Sequence, residues 1–260
     1  MRIATARRSP YRGPAAALLT GLLLSLVGCG ETPPPIAELT SSHAALASSE
    51  SLRLGVLGIE LVSALHQDPS GVDCPLLSSD GNIHVLDYGG GCAPSSGSTA
   101  EGISGQVEFT VAPATGWFVG SFESVGFSNH TVRGELSGSF TPVDDDVFFD
   151  LQFTGVQRTD RDDLVLDALF QVRGSDGSYV MDVDGGLLVG PALPDTEILL
   201  LEVTVHNGSL DSCMHPTAGS IDLRRGAQVG TLNFSPESAS SGNIPFTLNG
   251  QPITSIPICS

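Results

Sequence analysis

Five cysteines, Cys29, Cys74, Cys92, Cys213 and Cys259, carry the most reactive side chains of this 260-residue chain. Thiols form disulfides, hold metal ions or accept covalent groups, and the spacing between them helps to decide among these uses. The sequence contains no Cys-x-x-Cys pair, so it lacks the ligand spacing typical of a zinc site. Because the number of cysteines is odd, one is left over if the others pair.

Cys29 follows a segment that has the order of an export signal. Residues 1–13 contain four Arg, and residues 14–27 are apolar but shorter than the roughly 20 residues that a membrane-spanning helix needs. The sequence Leu26-Val27-Gly28-Cys29 resembles the lipobox of bacterial lipoproteins, in which a small residue precedes the cysteine that receives a diacylglycerol. The resemblance implies a signal peptide over residues 1–28, lipidation at Cys29 and a Pro-rich tether over residues 29–41.

The residue after Cys29 bears on the membrane that the anchor would use. In the enteric sorting rule, Asp at this position retains a lipoprotein in the inner membrane, whereas this chain has Gly30. The lipobox resemblance therefore implies a lipid anchor in the outer membrane, facing either the periplasm or the cell surface.

The remaining cysteines are predicted to form disulfides, because an exported chain meets an oxidising compartment. Four cysteines allow three connectivities. The local connectivity pairs Cys74 with Cys92 and Cys213 with Cys259.

Clusters of aspartate are the best candidates for binding a cation, since Ca²⁺ takes several oxygen ligands on loops that are often turned by glycine. The candidate ligands are Asp144, Asp146, Asp182 and Asp184. None of these runs has the full Asp-x-Asp-x-Asp-Gly spacing, so the aspartates are interpreted first as solubilising residues that guard strand edges. We therefore predict no metal and no other cofactor.

No motif of a known catalytic class is present. The sequence has no Gly-x-Ser-x-Gly elbow, no His-Glu-x-x-His and no phosphate-binding glycine loop, and its six histidines are dispersed. We therefore expect no enzymatic activity. Trp117, the single tryptophan, is interpreted as packing in the core or at a hairpin tip, with a sugar-stacking platform as the alternative.

Two kinds of periodicity indicate the elements that must position these residues. Leu54, Leu57, Leu61 and Leu65 recur at spacings of three and four, which predicts an amphipathic helix over about 42–66, within a helical segment 42–70. Gly55 and Gly58 count against that helix. The helix is expected to lay its apolar stripe on a β body.

From Cys74 onward, apolar and polar residues alternate in short runs that Gly, Pro, Asp or Ser separate. This pattern predicts an all-β fold, an antiparallel meander or sandwich of about ten strands. Prolines near position 191 favour a main unit over 74–190 and a smaller one over 195–260, although one continuous body fits the pattern too.

A second resemblance concerns the stretch that contains the first two paired cysteines. Cys74-Pro75, Asp87-Tyr88-Gly89 and Cys92 resemble a segment of uncharacterised secreted or lipid-anchored β-rich envelope proteins. The resemblance implies fold and export, and no activity.

The net charge of the chain argues against one class of function, nucleic-acid binding. The chain has 29 acidic residues against 11 basic ones, a net charge of -18, and such a surface repels nucleic acid. We expect membrane attachment through the lipid and an unknown protein or small-molecule partner.

The leading hypothesis is a non-catalytic structural or interaction role. Alternatives are a module that binds an apolar ligand, a glycan or calcium in a β-lined groove, and a hydrolase. An uncovered concave sheet face would favour the binding module, and a buried His–acid pair in a cleft would favour the hydrolase.

Overall fold

The fold is taken from a computed structural model that describes residues 38–66, 74–92, 102–127, 130–143, 146–158, 164–175, 178–190, 193–206 and 216–257. Among the residues singled out in the sequence, Cys29, Asp144, Cys213 and Cys259 lie outside these ranges. The predicted signal peptide and nearly all of the predicted tether lie outside them as well.

One antiparallel sheet of thirteen strands forms the body, and every strand pairs with the next along the chain. The strands are β1 (Leu76–Asp80), β2 (Ile83–Asp87), β3 (Gln106–Ala112), β4 (Trp117–Phe127), β5 (His130–Val143), β6 (Asp146–Arg158), β7 (Val165–Ser175), β8 (Ser178–Gly190), β9 (Leu193–His206), β10 (Ala218–Arg225), β11 (Gln228–Asn233), β12 (Asn243–Leu248) and β13 (Gln251–Pro257). The predicted all-β antiparallel meander is confirmed.

The number of strands is thirteen, whereas the sequence predicted about ten. The difference arises from strands in which the alternation of apolar and polar residues is weak. β4 includes Gly120 and Gly126, and β13 includes Pro252 and Pro257, which blur a period of two. β1 is almost entirely exposed. Its positions do not need to be apolar, so the strand shows no clear alternation in the sequence.

The strands that alternate clearly bury one face and expose the other. On β3, Val107 and Phe109 are fully buried, while Gln106, Glu108 and Thr110 are exposed. Since successive side chains of a strand point to opposite faces, the buried set defines an inner face of the sheet and the exposed set an outer face.

The inner face packs around α1 (Ser41–His66), the helix that the sequence predicted. The helix contacts β2, β7, β9, β10 and β13, and its residues also reach side chains of β4, β5, β6 and β8. The sequence predicted a single apolar stripe, but within α1 only Ser42 and His66 are exposed. Most of the other residues of α1 are buried, including all six from Leu54 to Ile59, so the helix packs against the sheet with more than one stripe.

Gly55 and Gly58 allow the helix to approach the sheet closely. A Cβ atom at Gly55 would lie 2.8 Å from both Met181 Sδ and Phe170 Cε1, and one at Gly58 would lie 2.8 Å from Phe153 Cζ. These distances are too short for a real side-chain contact. The glycines that weakened the helical pattern are thus the positions at which aromatic rings of β6 and β7 meet the helix backbone.

The predicted unit boundary near position 191 lies between β8 and β9. These two strands pair with each other, with Leu187 opposite Glu197 and Leu188 opposite Thr196. Residues Ile36–Ser260 cluster as one compact unit. A short second helix, α2 (Pro236–Ser241), connects β11 to β12.

The predicted disulfide between Cys74 and Cys92 is confirmed, with a Cα–Cα distance of 5.7 Å. It links the residues before β1 to those after β2, where Cys92 forms a bridge with Ile103. The bond therefore ties the first hairpin to the body at a buried position, since Cys92 is only 3% exposed.

Candidate functional site

The aspartates proposed as calcium ligands lie on different parts of the sheet. Asp146 is exposed at the start of β6, and Asp182 and Asp184 stand two residues apart on β8. The carboxylate of Asp182 already accepts the backbone N–H of Glu202 at 2.7 Å. Within the described ranges, no group of three His, Cys, Asp or Glu side chains is placed to hold a metal ion.

The histidines whose side chains are described contact groups other than carboxylates. His66 stacks on Phe140 at 3.8 Å, and its Nδ1 lies 2.9 Å from the carbonyl oxygen of Val62. Burial lowers the pKa of His66, opposed by the contact with the Val62 carbonyl. His84 Nδ1 lies 2.9 Å from Ser79 Oγ on the exposed β1–β2 hairpin. A Ser–His contact on an exposed hairpin lacks the orienting carboxylate that hydrolase triads use.

A groove lies on the outer face of the central strands, and we call it the outer-face furrow. Its volume is about 270 Å³. Its lining residues come from β5 to β8 and combine one exposed aromatic ring with charged, amide and hydroxyl groups: Ser139, Thr141, Phe148, Phe149, Asp150, Gln171, Val172, Arg173 and Asp182.

Strand register explains why these residues meet. Ser139 on β5 is opposite Asp150 on β6, which is opposite Gln171 on β7, which is opposite Asp182 on β8. The same row continues to Trp117 on β4, the partner of Ser139. Five strands separated by about 4.8 Å place this row across roughly 19 Å of the outer face.

A bulge holds one side of the furrow in a fixed arrangement. Glu202 has a φ of 50°, a left-handed conformation that non-glycine residues adopt infrequently. Two contacts fix it there, because its N–H donates to Asp182 and its Oε1 lies 3.3 Å from Arg173 Nη2. Gly219 accommodates the bulge from β10, since a Cβ atom there would lie 2.6 Å from the Cα of Val203.

A second groove of about 540 Å³ continues from Arg173 across β8 to β11. It includes Leu201, which is 48% exposed, and the bulged Glu202. The two grooves share Arg173, so together they run across the outer face from β5 to β11.

Of the residues singled out in the sequence, Asp182 lines the furrow and Trp117 lies beside it as the partner of Ser139, whereas the other lining residues were not predicted. The available signal was weak, because Phe148, Asp150, Gln171 and Arg173 are ordinary outward positions of alternating strands. They become a site only when the register of β5 to β8 is known, and a shift of one residue would turn any strand's set inward. Trp117, expected at a hairpin tip or in the core, begins β4 after the turn and is 46% exposed.

A second group of titratable side chains, the partly buried Glu60 of α1 and the buried Tyr88, lies near the Asp87-Tyr88-Gly89 turn. Burial raises the pKa of Glu60 to about 7, and its Oε1 atom has no hydrogen-bond partner among the described residues. Tyr88 is 4% exposed, and within the same described ranges its hydroxyl has no partner either. Burial raises the pKa of Tyr88, and the nearby Glu60 charge raises it further.

The turn itself is held by Asp87. Its carboxylate accepts the N–H of Gly89 at 2.7 Å and the amide of Gln106 at 2.8 Å. These two hydrogen bonds hold the pKa of Asp87 below its usual range. Asp87 therefore has a structural role in orienting Tyr88 towards the core.

Comparisons of the chain with protein-family models, with curated proteins and with solved structures found no match. In the part of the chain that the structure describes, neither helix has both the length and the apolarity needed to cross a bilayer.

Proposed function

We propose that this chain is a lipid-anchored protein of the bacterial outer membrane whose folded body has a non-catalytic structural or interaction role. The anchor rests on Leu26-Val27-Gly28-Cys29 and the basic and apolar segments before it. The role of the body rests on one observation, that the concave side of the sheet is filled by the chain's own helix α1.

The folded body begins by Leu39, which leaves only a short tether after Cys29. Leu39 is only 2% exposed, and its N–H donates to Gln228 Oε1 on β11 at 2.7 Å. Ten residue steps separate Cys29 from Leu39, which span at most roughly 36 Å when fully extended. An anchor at Cys29 would thus hold the body close to the bilayer surface.

The binding-module alternative required an uncovered apolar face inside the sheet. Residues such as Leu57, Leu61 and Val62 of α1 occupy that face. A ligand would therefore contact the outer face, where the grooves are. The hydrolase alternative required a buried His–acid pair, and the described contacts of His66 and His84 are with a carbonyl, aromatic rings and a hydroxyl.

Metabolic labelling with an alkyne analogue of palmitate tests the anchor. The full chain is expressed in a bacterium that processes lipoproteins, and we expect label on the wild type and none on Cys29→Ala. The matched control is the double variant Cys74→Ala/Cys92→Ala, which removes two other cysteines and should keep the label. An unlabelled wild type, or equal label on Cys29→Ala, would refute the anchor.

Membrane fractionation tests the location. In an enteric host we expect the wild type in the outer-membrane fraction and Gly30→Asp in the inner-membrane fraction. Recovery of both proteins in the same fraction would contradict the assignment to the outer membrane.

A further inference from the structure

The outer-face furrow exposes aromatic surface beside an ordered set of polar groups. Trp117 is 46% exposed and Phe148 is 42% exposed, although both belong to strands whose inner faces are fully packed. Large exposed rings that contribute nothing to the core mark candidate contact surfaces. Trp117 heads the row that runs through Asp150 to Asp182, and Phe148 stands two residues before Asp150 on the same strand.

The polar groups of the furrow can both donate and accept hydrogen bonds. Asp150 and Asp182 supply carboxylate oxygens, Gln171 supplies an amide that donates and accepts, and Arg173 supplies a planar guanidinium. A planar carboxylate, amide or guanidinium group can bind two neighbouring hydroxyls at once. The flat face of an aromatic ring, in turn, packs against the apolar C–H face of a sugar ring.

From this combination we infer that the outer-face furrow is a binding site for a neutral oligosaccharide. A sugar ring presents hydroxyls at its edge and C–H groups on its face, and the furrow presents partners for both. The row from Trp117 to Asp182 crosses five strands and opens at Arg173 into the second groove, so it accommodates a chain of several sugars.

Charge selects against an anionic polymer. Asp150, Asp182 and Glu202 face the site with Arg173, and Arg173 already lies 3.3 Å from the Glu202 carboxylate. The whole chain has a net charge of -18, which repels uronate-rich or phosphate-rich chains before they reach the surface.

The bulge at Glu202 gives the site a preformed geometry. The left-handed Glu202 is fixed by Asp182 and Arg173, so two of the residues that contact the ligand are also held by the protein. Non-glycine residues in this conformation cost free energy and persist where the surrounding structure over-determines them. Preformed polar groups lower the entropic cost of binding a flexible oligosaccharide.

Trp117 is the only tryptophan of the chain and is paired with Ser139 of the furrow, so its fluorescence reports on the β4 end of the row. The full chain is purified in detergent and titrated with cellotetraose, mannotetraose, chitotetraose and, as an anionic comparison, tetragalacturonate. We expect at least one neutral tetrasaccharide to change the fluorescence saturably, and tetragalacturonate to bind more weakly. Binding of tetragalacturonate alone, or of none of the four sugars up to their solubility, would overturn the proposal.

Variants then locate the site by calorimetry. Trp117→Ala and Phe148→Ala should each weaken binding of the same sugar roughly five- to tenfold, as the loss of one aromatic contact would. Leu76→Ala, on the edge strand β1, is the matched control, because Leu76 is 61% exposed and lies away from the furrow. Unchanged affinity in both aromatic variants would place the sugar elsewhere.

One further outcome would assign the furrow to another partner. If the wild type self-associates in sedimentation velocity and Phe148→Ala abolishes that association, the face is a contact between copies of the chain, and the sugar proposal fails. Because the binding assay uses no membrane, the Cys29→Ala variant gives the same result as the wild type. Failure of the sugar site and failure of the lipid anchor are therefore separately observable.

Discussion

Glu60 is a partly buried acid with a buried Oε1 atom, and its protonation state should control part of the stability of this protein. Its pKa is raised to about 7 by burial, from an ordinary value of 4.5. The folded state therefore favours the neutral carboxyl, because ionisation puts charge on an Oε1 atom that has no hydrogen-bond partner among the described residues.

The sign of the pH effect follows from that shift. Because the folded state holds the proton of Glu60 more tightly than the unfolded state, stability contributed by this residue is lost as the pH rises from about 4.5 to about 7. Between about pH 4 and about pH 8 we expect wild type to lose roughly 3 kcal/mol relative to Glu60→Gln, which does not titrate. Denaturant titrations of both proteins at the two pH values measure the difference.

Glu108→Gln serves as the matched control, since Glu108 is exposed on β3. Comparing wild type and variant at the same pH removes the contributions that the two proteins share. If Glu60→Gln and wild type keep the same stability gap across this range, the carboxyl of Glu60 is not the buried acid that the structure indicates.

At the scale of elements, the contact between α1 and β6 depends on the absence of a side chain at Gly58. A Cβ atom there would lie 2.8 Å from Phe153 Cζ and 2.9 Å from Leu151 Cδ1. Both of those side chains are fully buried, so they have little room to move away.

We therefore expect Gly58→Ala to destabilise the protein, although alanine favours the helix by about 1 kcal/mol over glycine. Overpacking in a close-packed core costs about 1–3 kcal/mol, so the net loss should be up to about 2 kcal/mol. Gly90→Ala is the control, because a Cβ atom at Gly90 would meet nothing within 4 Å. Chemical denaturation gives both values, and a Gly58→Ala protein more stable than wild type would contradict the close packing.

Gly58 also shows which part of the fold a sequence can predict. Period-two alternation predicted the all-β class, and the leucine spacing predicted the helix nearly to its ends. Those patterns are local. The approach of Phe153 and Phe170 to the helix backbone is a contact between distant segments, and from the sequence alone Gly55 and Gly58 weakened the helix prediction.

The candidate site, too, was predictable only as far as single residues and short runs reveal it. Trp117 stood out as the single tryptophan, and Asp182 as part of an acidic run. That Asp150, Gln171 and Asp182 share a row depends on the pairing register of three strands, including the bulges between β7 and β8. The spacing of residues within one strand does not determine how that strand pairs with its neighbour.

At the scale of the whole unit Ile36–Ser260, the helix α1 has no exposed residue between His43 and Leu65. In many β proteins two sheet faces pack together, or helices cover a sheet from outside. Here the inner face of one meander packs against α1, and apolar residues of twelve of the thirteen described strands join those of the helix in a single core cluster. Unfolding α1 therefore requires the sheet to open.

This architecture makes a prediction for hydrogen exchange. Amides in the middle of α1, such as those of Leu57 and Leu61, should exchange only through global unfolding, at the same rate as those of β6 to β8. The edge strands β1 and β13 are mostly exposed, so their amides should exchange faster through local opening. Exchange followed by mass spectrometry after proteolysis resolves these segments.

The Gly58→Ala variant distinguishes a shared core from a separately stable helix. If α1 and β6 to β8 form one cooperative unit, the variant should lower the protection of all of them by the same free energy and leave the already fast exchange of β1 and β13 nearly unchanged. Loss of protection in α1 alone would show that the helix opens independently of the sheet. Faster exchange of α1 than of β1 in the wild type would likewise contradict a central position for the helix.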